Sequence, residues 1–205
     1  MEYREIICAC CGKKVGIPID PKSRNFDFNY SILINSYDEF FDMVDMCPEC
    51  GYVFLFDTDG WVDDDMREYI SSSEYRDILN NPNLESGLKK WILYAILQEH
   101  VDAFTVAGIA YMKAYDYLEL KNMELDKRLI EKSASCFLSA EEKKLSFTDG
   151  LLAVDALRRD GDFERATHIL KHLSGMFEGK IVDKNVEDEK MWIILKETAK
   201  RILDI

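Results

Sequence analysis

The chain has no excess of positive charge: 26 Lys and Arg stand against 39 Asp and Glu, leaving a formal net charge of −13. A surface of that sign repels phosphate backbones, which argues against non-specific nucleic-acid binding. Only short basic pairs interrupt it, at Lys13-Lys14, Lys89-Lys90 and Arg158-Arg159. Long apolar runs are also missing. The longest, Trp91 to Leu97, is about a third of the ~20 residues that a membrane span needs. The opening residues, Met1 to Cys8, are charged and lack the apolar stretch of a signal peptide. These features predict a cytoplasmic protein without a membrane partner, and in that compartment paired cysteines hold metal more often than they form disulfides.

Familiar catalytic signatures are missing too. There is no Gly-rich phosphate loop, no Gly-x-Ser-x-Gly and no His-Glu-x-x-His. Histidine is scarce, with three in 205 residues. His168 and His172 share a helical face at metal-ligand spacing but lack a third ligand at a clear spacing, and His100 reads as isolated. Asp57-x-Asp59-Gly60 opens like a calcium loop but fails as one. Gly60 falls at the fourth position where the loop needs it at the sixth, and Trp61 takes a ligand position. Scattered carboxylates read as solvated helix faces and define no acid–base pair.

What remains is ordinary globular material, 47% apolar and 32% charged, enough for a buried core in one domain or two small ones. Five of the six cysteines fall in the first fifty residues. Cys8-Ala-Cys10-Cys11-Gly12 and Cys47-Pro48-Glu49-Cys50-Gly51 read as two knuckles. In each, a two-residue gap lets both sulfurs face one ion, and the Gly permits the left-handed turn that brings main-chain N–H groups to the thiolates. The pairs together predict one tetrahedral four-cysteine site made by Cys8, Cys11, Cys47 and Cys50, with zinc as the metal. Cys10 is read as a bystander, and Cys136 as a buried structural cysteine on a helix. Ile6-Ile7, Val15 to Ile17 and Val53 to Phe56 read as short strands around the knuckles. Between the pairs, Tyr30 to Asn35 reads as a strand and Tyr37 to Met46 as a helix.

From about Val62 the periodicity turns helical. Asp63, Asp64 and Asp65 suit a helix N-terminus, and Ser71-x-x-Glu74 has the form of a capping box for a helix over 74–79. Asn80-Asn81-Pro82 stops it. Further helices are predicted over 84–98, 104–118, 129–143, 151–159, 163–177 and 186–203. Alanines recur along them and allow close packing. Within 151–166, Gly161, Phe163 and Ala166 resemble the turn and second helix of a tetratricopeptide repeat, with Gly150 in place of the hallmark Trp. The stretch 104–143 reads as an irregular preceding copy. The fold class predicted is α+β and mostly α, a zinc-ribbon-like head over 1–60 and a tetratricopeptide-like antiparallel helical bundle over 61–205.

Cys8, Cys11, Cys47, Pro48, Cys50, Gly51 and Tyr52, followed by Arg158, Arg159, Gly161, Asp162, Phe163 and Ala166, together resemble a family of uncharacterised bacterial proteins. That family joins a two-knuckle zinc-binding head to a tetratricopeptide-like tail. Cys10-Cys11 and Tyr111-Met-Lys depart from its pattern. The resemblance implies an assembly or scaffolding module and supplies no enzyme activity. The reading is therefore a zinc-stabilised protein–protein interaction module without catalytic activity, its partner a protein or peptide of basic character. The alternatives are a rubredoxin-like iron electron carrier, since iron takes the same four sulfurs, and a nucleic-acid-binding zinc ribbon.

Overall fold

The computed structural model describes residues 2–19, 44–55, 62–144 and 147–176. Within them lie four strands and seven helices. The strands form two antiparallel hairpins. In the first, β1 (Glu2–Ile7) pairs with β2 (Lys14–Ile19), Ile7 opposite Lys14 and Arg4 opposite Ile17. In the second, β3 (Val44–Met46) pairs with β4 (Val53–Leu55), Met46 opposite Val53. The strands expected at Ile6, Val15 to Ile17 and Val53 are all present. Val44–Met46 is strand where a helix through Met46 was expected. These residues lead into Cys47 and pair with β4, a contact that local periodicity does not reveal. The strand expected over 30–35 and the remainder of that helix lie outside the described residues.

The helices are α1 (Asp64–Ser71), α2 (Ser73–Leu79), α3 (Ser86–His100), α4 (Phe104–Leu120), α5 (Lys127–Lys144), α6 (Phe147–Asp160) and α7 (Phe163–Met176). Asp63 caps α1 by accepting from the Met66 N–H at 2.8 Å, with Asp64 and Asp65 in the first turn. The cap of α2 is Ser72, not Ser71. Ser72 Oγ accepts from the Tyr75 N–H, whereas the Ser71 hydroxyl donates back to the Arg67 carbonyl inside α1. The α6 helix begins four residues before the expected start at 151. The helix predicted over 186–203 lies outside the described residues, as do Asp57 to Trp61 of the calcium-like stretch. No described helix is long and apolar enough to cross a membrane.

The chain divides into two compact units, Met1–Asp102 with Asp116–Met123, and Ala103–Tyr115 with Glu124–Ile205. The composition shift near residue 60 marks where strands give way to helices. Packing keeps α1, α2 and α3 with the hairpins. In this first unit α3 is the central element, in contact with β3, β4, α1 and α2. Leu88, Trp91 and the run Leu93 to Leu97 are all buried. That burial on several faces explains the apolar run, which is the property of a core helix. Each such large apolar side chain contributes about 1.5–3 kcal/mol by leaving water.

In the second unit neighbouring helices pack in chain order. Gly108 of α4 lies so close to Phe137 of α5 that a Cβ would fall 2.8 Å from its ring. At the same crossing, Ser133 donates to the Gly108 carbonyl at 2.8 Å. The turn from α6 to α7 follows its sequence signature. Gly161 has φ +93°, its N–H and that of Asp162 reach back to the Leu157 carbonyl, and Asp162 caps α7 through the Arg165 N–H. Ala166 is fully buried at the crossing. Gly150, standing where a repeat carries Trp, leaves no room for a larger residue: its Cβ would meet Leu173 at 2.6 Å. Arg158 and Arg159 form no surface patch. Arg158 is buried and paired with Asp155, and Arg159 lies 5.0 Å from the Tyr115 ring centroid.

Candidate metal centre

Each knuckle is the tip of a hairpin, and the two tips are built alike. In the first, the Cys8 N–H donates to the Lys13 carbonyl at 2.9 Å and the Gly12 N–H donates to the Cys8 carbonyl at 2.8 Å. In the second, the Cys47 N–H donates to the Tyr52 carbonyl at 2.8 Å and the Gly51 N–H to the Cys47 carbonyl at 2.9 Å. Closing so tight a loop requires a left-handed residue after the second cysteine, and Gly12 and Gly51 adopt φ +69° and +78°. The turn delivers amides to sulfur as the sequence predicts. Lys13 N–H bonds to Cys11, and Tyr52 N–H bonds to Cys50.

The hairpins bring Cys8, Cys11, Cys47 and Cys50 together, with all four sulfurs within 4.8 Å of one another. Two separations cross between the knuckles: Cys8 Sγ to Cys50 Sγ is 3.7 Å, and Cys11 Sγ to Cys47 Sγ is 3.9 Å. A sulfur tetrahedron with metal bonds of ~2.3 Å has edges of about 3.8 Å. A disulfide would need about 2.05 Å, and all six cysteines are free thiols. The donor set and its spacing therefore fit a single tetrahedral metal ion. Cys8 and Cys47, the first cysteine of each knuckle, are buried, while Cys11 and Cys50 are half-buried.

The electrostatics follow from four thiols sharing one small volume. Burial pushes the Cys8 thiol up to about 11, against the pull of amides in its own knuckle. Burial, reinforced by neighbouring sulfurs and only partly opposed by the Tyr52 N–H, pushes Cys50 far above the usual thiol range. At Cys11, burial acts upward but is outweighed by hydrogen bonds from the Lys13 amide and the other thiols, so this group is lowered. Without a cation, the cluster resists holding several thiolates at once. A divalent ion held by Cys8, Cys11, Cys47 and Cys50 would supply the missing positive charge and reverse that preference.

Cys10 is half-buried and stands outside the four-sulfur group, although its thiol bonds to Cys50. Lys13 and Glu49 close the rim with a salt bridge of 2.5 Å from one knuckle to the other. Cys136 is buried in α5, as expected. His168 and His172 are exposed on α7 and join no metal-ligating cluster among the described residues. His100 is not isolated. Its Nε2 lies 2.9 Å from Asp65 Oδ2, and its ring stacks on Tyr69 at 4.1 Å. Two residues near the centre had no signal in the sequence: Tyr75, whose hydroxyl donates to the Gly51 carbonyl, and Arg67, whose Nε donates to the Cys10 carbonyl. Their partners lie 24 and 57 residues away, beyond the reach of any local pattern. No family model, curated protein or solved structure matches this chain.

Proposed function

We propose that Cys8, Cys11, Cys47 and Cys50 hold one zinc ion in a closed structural site, and that the protein is a zinc-stabilised interaction module. The observation that carries the metal site is the pair of inter-knuckle sulfur separations, 3.7 and 3.9 Å, each near the edge of a metal–sulfur tetrahedron. Four protein sulfurs leave no open coordination position for a substrate, which favours a structural ion over a catalytic one. The ion's chemistry is then to neutralise thiolate charge and join the two ribbon-like hairpin tips. The helical remainder supplies the surface for a partner. The turn at Gly161 and the small-residue crossing at Ala166 support a tetratricopeptide-like arrangement there, in keeping with the family resemblance. The net charge of −13 favours a basic peptide or protein.

Purified protein analysed for metals tests the first part. One zinc per chain, lost in Cys47→Ser, is the expected result; a red iron–thiolate spectrum would replace zinc with iron and reopen electron transfer. Titration with a lysine-rich peptide at increasing salt tests the second. Binding that weakens with salt is expected, and no binding at low salt would overturn the basic-partner reading.

A further inference from the structure

Two hydrogen bonds outside the sulfur cluster tie the two knuckles to two different helices. In the first knuckle, the Cys10 carbonyl accepts from Arg67 Nε of α1 at 3.2 Å. In the second, the Gly51 carbonyl accepts from the Tyr75 hydroxyl of α2 at 2.8 Å. Both acceptors sit next to a cluster cysteine, Cys10 beside Cys11 and Gly51 beside Cys50. The Tyr75 contact is fully buried, whereas Arg67 is exposed and also bonds through Nη1 to Asp64 at 2.8 Å. The two helices meet at one residue: Ser72 ends α1 and caps α2. Gly51 is further pressed against α2, since a Cβ there would overlap Leu79. Two helices joined at Ser72 thus brace the two knuckles from outside the sulfur cluster.

We propose that Arg67 and Tyr75 are positioning residues of the metal centre: each holds the backbone of one knuckle, and together they set the spacing of the thiol pairs and hence the metal affinity. This rests on the metal-site reading above. It carries a consequence by thermodynamic reciprocity: contacts that strengthen metal binding are strengthened by the metal in return. Metal occupancy is therefore felt in α1 and α2, in addition to the direct packing of β3 and β4 on α3.

The test uses the full-length chain. Tyr75→Phe keeps the buried ring and removes only the hydroxyl; Arg67→Ala removes the other brace; Ser71→Ala is the control. Zinc affinity is measured by competition with a chromophoric chelator, and amide hydrogen exchange over 64–79 is followed with and without zinc. Direct hydrogen-bond partners of metal ligands typically tune affinity 10- to 100-fold; Tyr75 acts one residue removed, through the Gly51 carbonyl, so Tyr75→Phe should weaken zinc binding by about tenfold, the low end of that range. Arg67→Ala should weaken it less. In both variants zinc should protect α1 and α2 less than in the wild type, while Ser71→Ala behaves as wild type. A purely structural role would lower the denaturant stability of zinc-free and zinc-loaded protein alike and leave zinc affinity unmoved; that result overturns the proposal. Wild-type protein that binds no zinc would instead overturn the metal site itself, a distinguishable failure.

Discussion

Gly51 and Gly12 occupy equivalent places in the two knuckles, yet the surroundings make their substitution unequal. Both have positive φ, and placing an L side chain there costs about 1–2 kcal/mol. At Gly12 nothing lies within 4 Å of the new Cβ, so that cost is the whole effect. At Gly51 the Cβ would sit 2.3 Å from Leu79 Cδ2 and 3.2 Å from its Cγ. Leu79 must swing away at the end of α2, adding a packing cost of about 1–3 kcal/mol. Gly12→Ala should therefore lose about 1–2 kcal/mol and Gly51→Ala about 2–5 kcal/mol. Urea unfolding of the metal-free proteins, read by tryptophan fluorescence, measures both, and comparable m-values license the comparison. Equal losses would show that the packing of Leu79 on the second knuckle is wrong. A larger loss at Gly12 would refute the conformational argument as well.

Three further outcomes follow from particular contacts. Ser72→Ala should cost about 1 kcal/mol by removing the cap of α2, whereas Ser71→Ala, at an exposed helical position, should change stability by less than about 0.5 kcal/mol; thermal unfolding of the two variants separates the assignments. Metal-free protein should be at its most stable with respect to Cys8 below pH 9.0 and lose that contribution as pH rises through about 11, because the folded state raises this thiol. Metal-loaded protein should show the opposite sign, losing stability and releasing its ion as acid protonates the thiolates; unfolding midpoints across pH for both forms check the reversal. Gly150→Leu should destabilise the α6–α7 packing by about 1–3 kcal/mol through overlap with Leu173, read by the midpoint of urea unfolding.

The parts of this molecule that were legible in the sequence are those whose cause is local. The two-residue gap and trailing glycine specify each knuckle within five residues, and both hairpin tips close as that pattern requires. Gly161-Asp162 ends one helix and caps the next by the same short-range chemistry. Helices α3 to α7 follow from apolar spacing, with ends displaced by a few residues because caps compete over one or two positions. Choosing Ser72 over Ser71 depends on which hydroxyl is free, and Ser71 spends its own on the Arg67 carbonyl. The unread parts depend on distant partners. Val44–Met46 becomes strand because β4 is there to pair with it. His100 gains Asp65 and Tyr69 only when α1 meets α3, and Arg159 is buried beside the Tyr115 ring of α4. Tyr75 looks like any aromatic on a helix until Gly51 lies beneath its hydroxyl.

The central claim is that the four clustered cysteines form one metal centre, and cobalt substitution tests it most directly. Cobalt(II) added to the metal-free protein should give one equivalent of binding, with thiolate charge-transfer bands and the visible absorption of a tetrahedral sulfur site. Cys8→Ser, Cys11→Ser, Cys47→Ser and Cys50→Ser should each weaken these bands, while Cys10→Ser and Cys136→Ser leave them intact. A six-coordinate spectrum, or bands untouched by the loss of any of the four, would contradict the account.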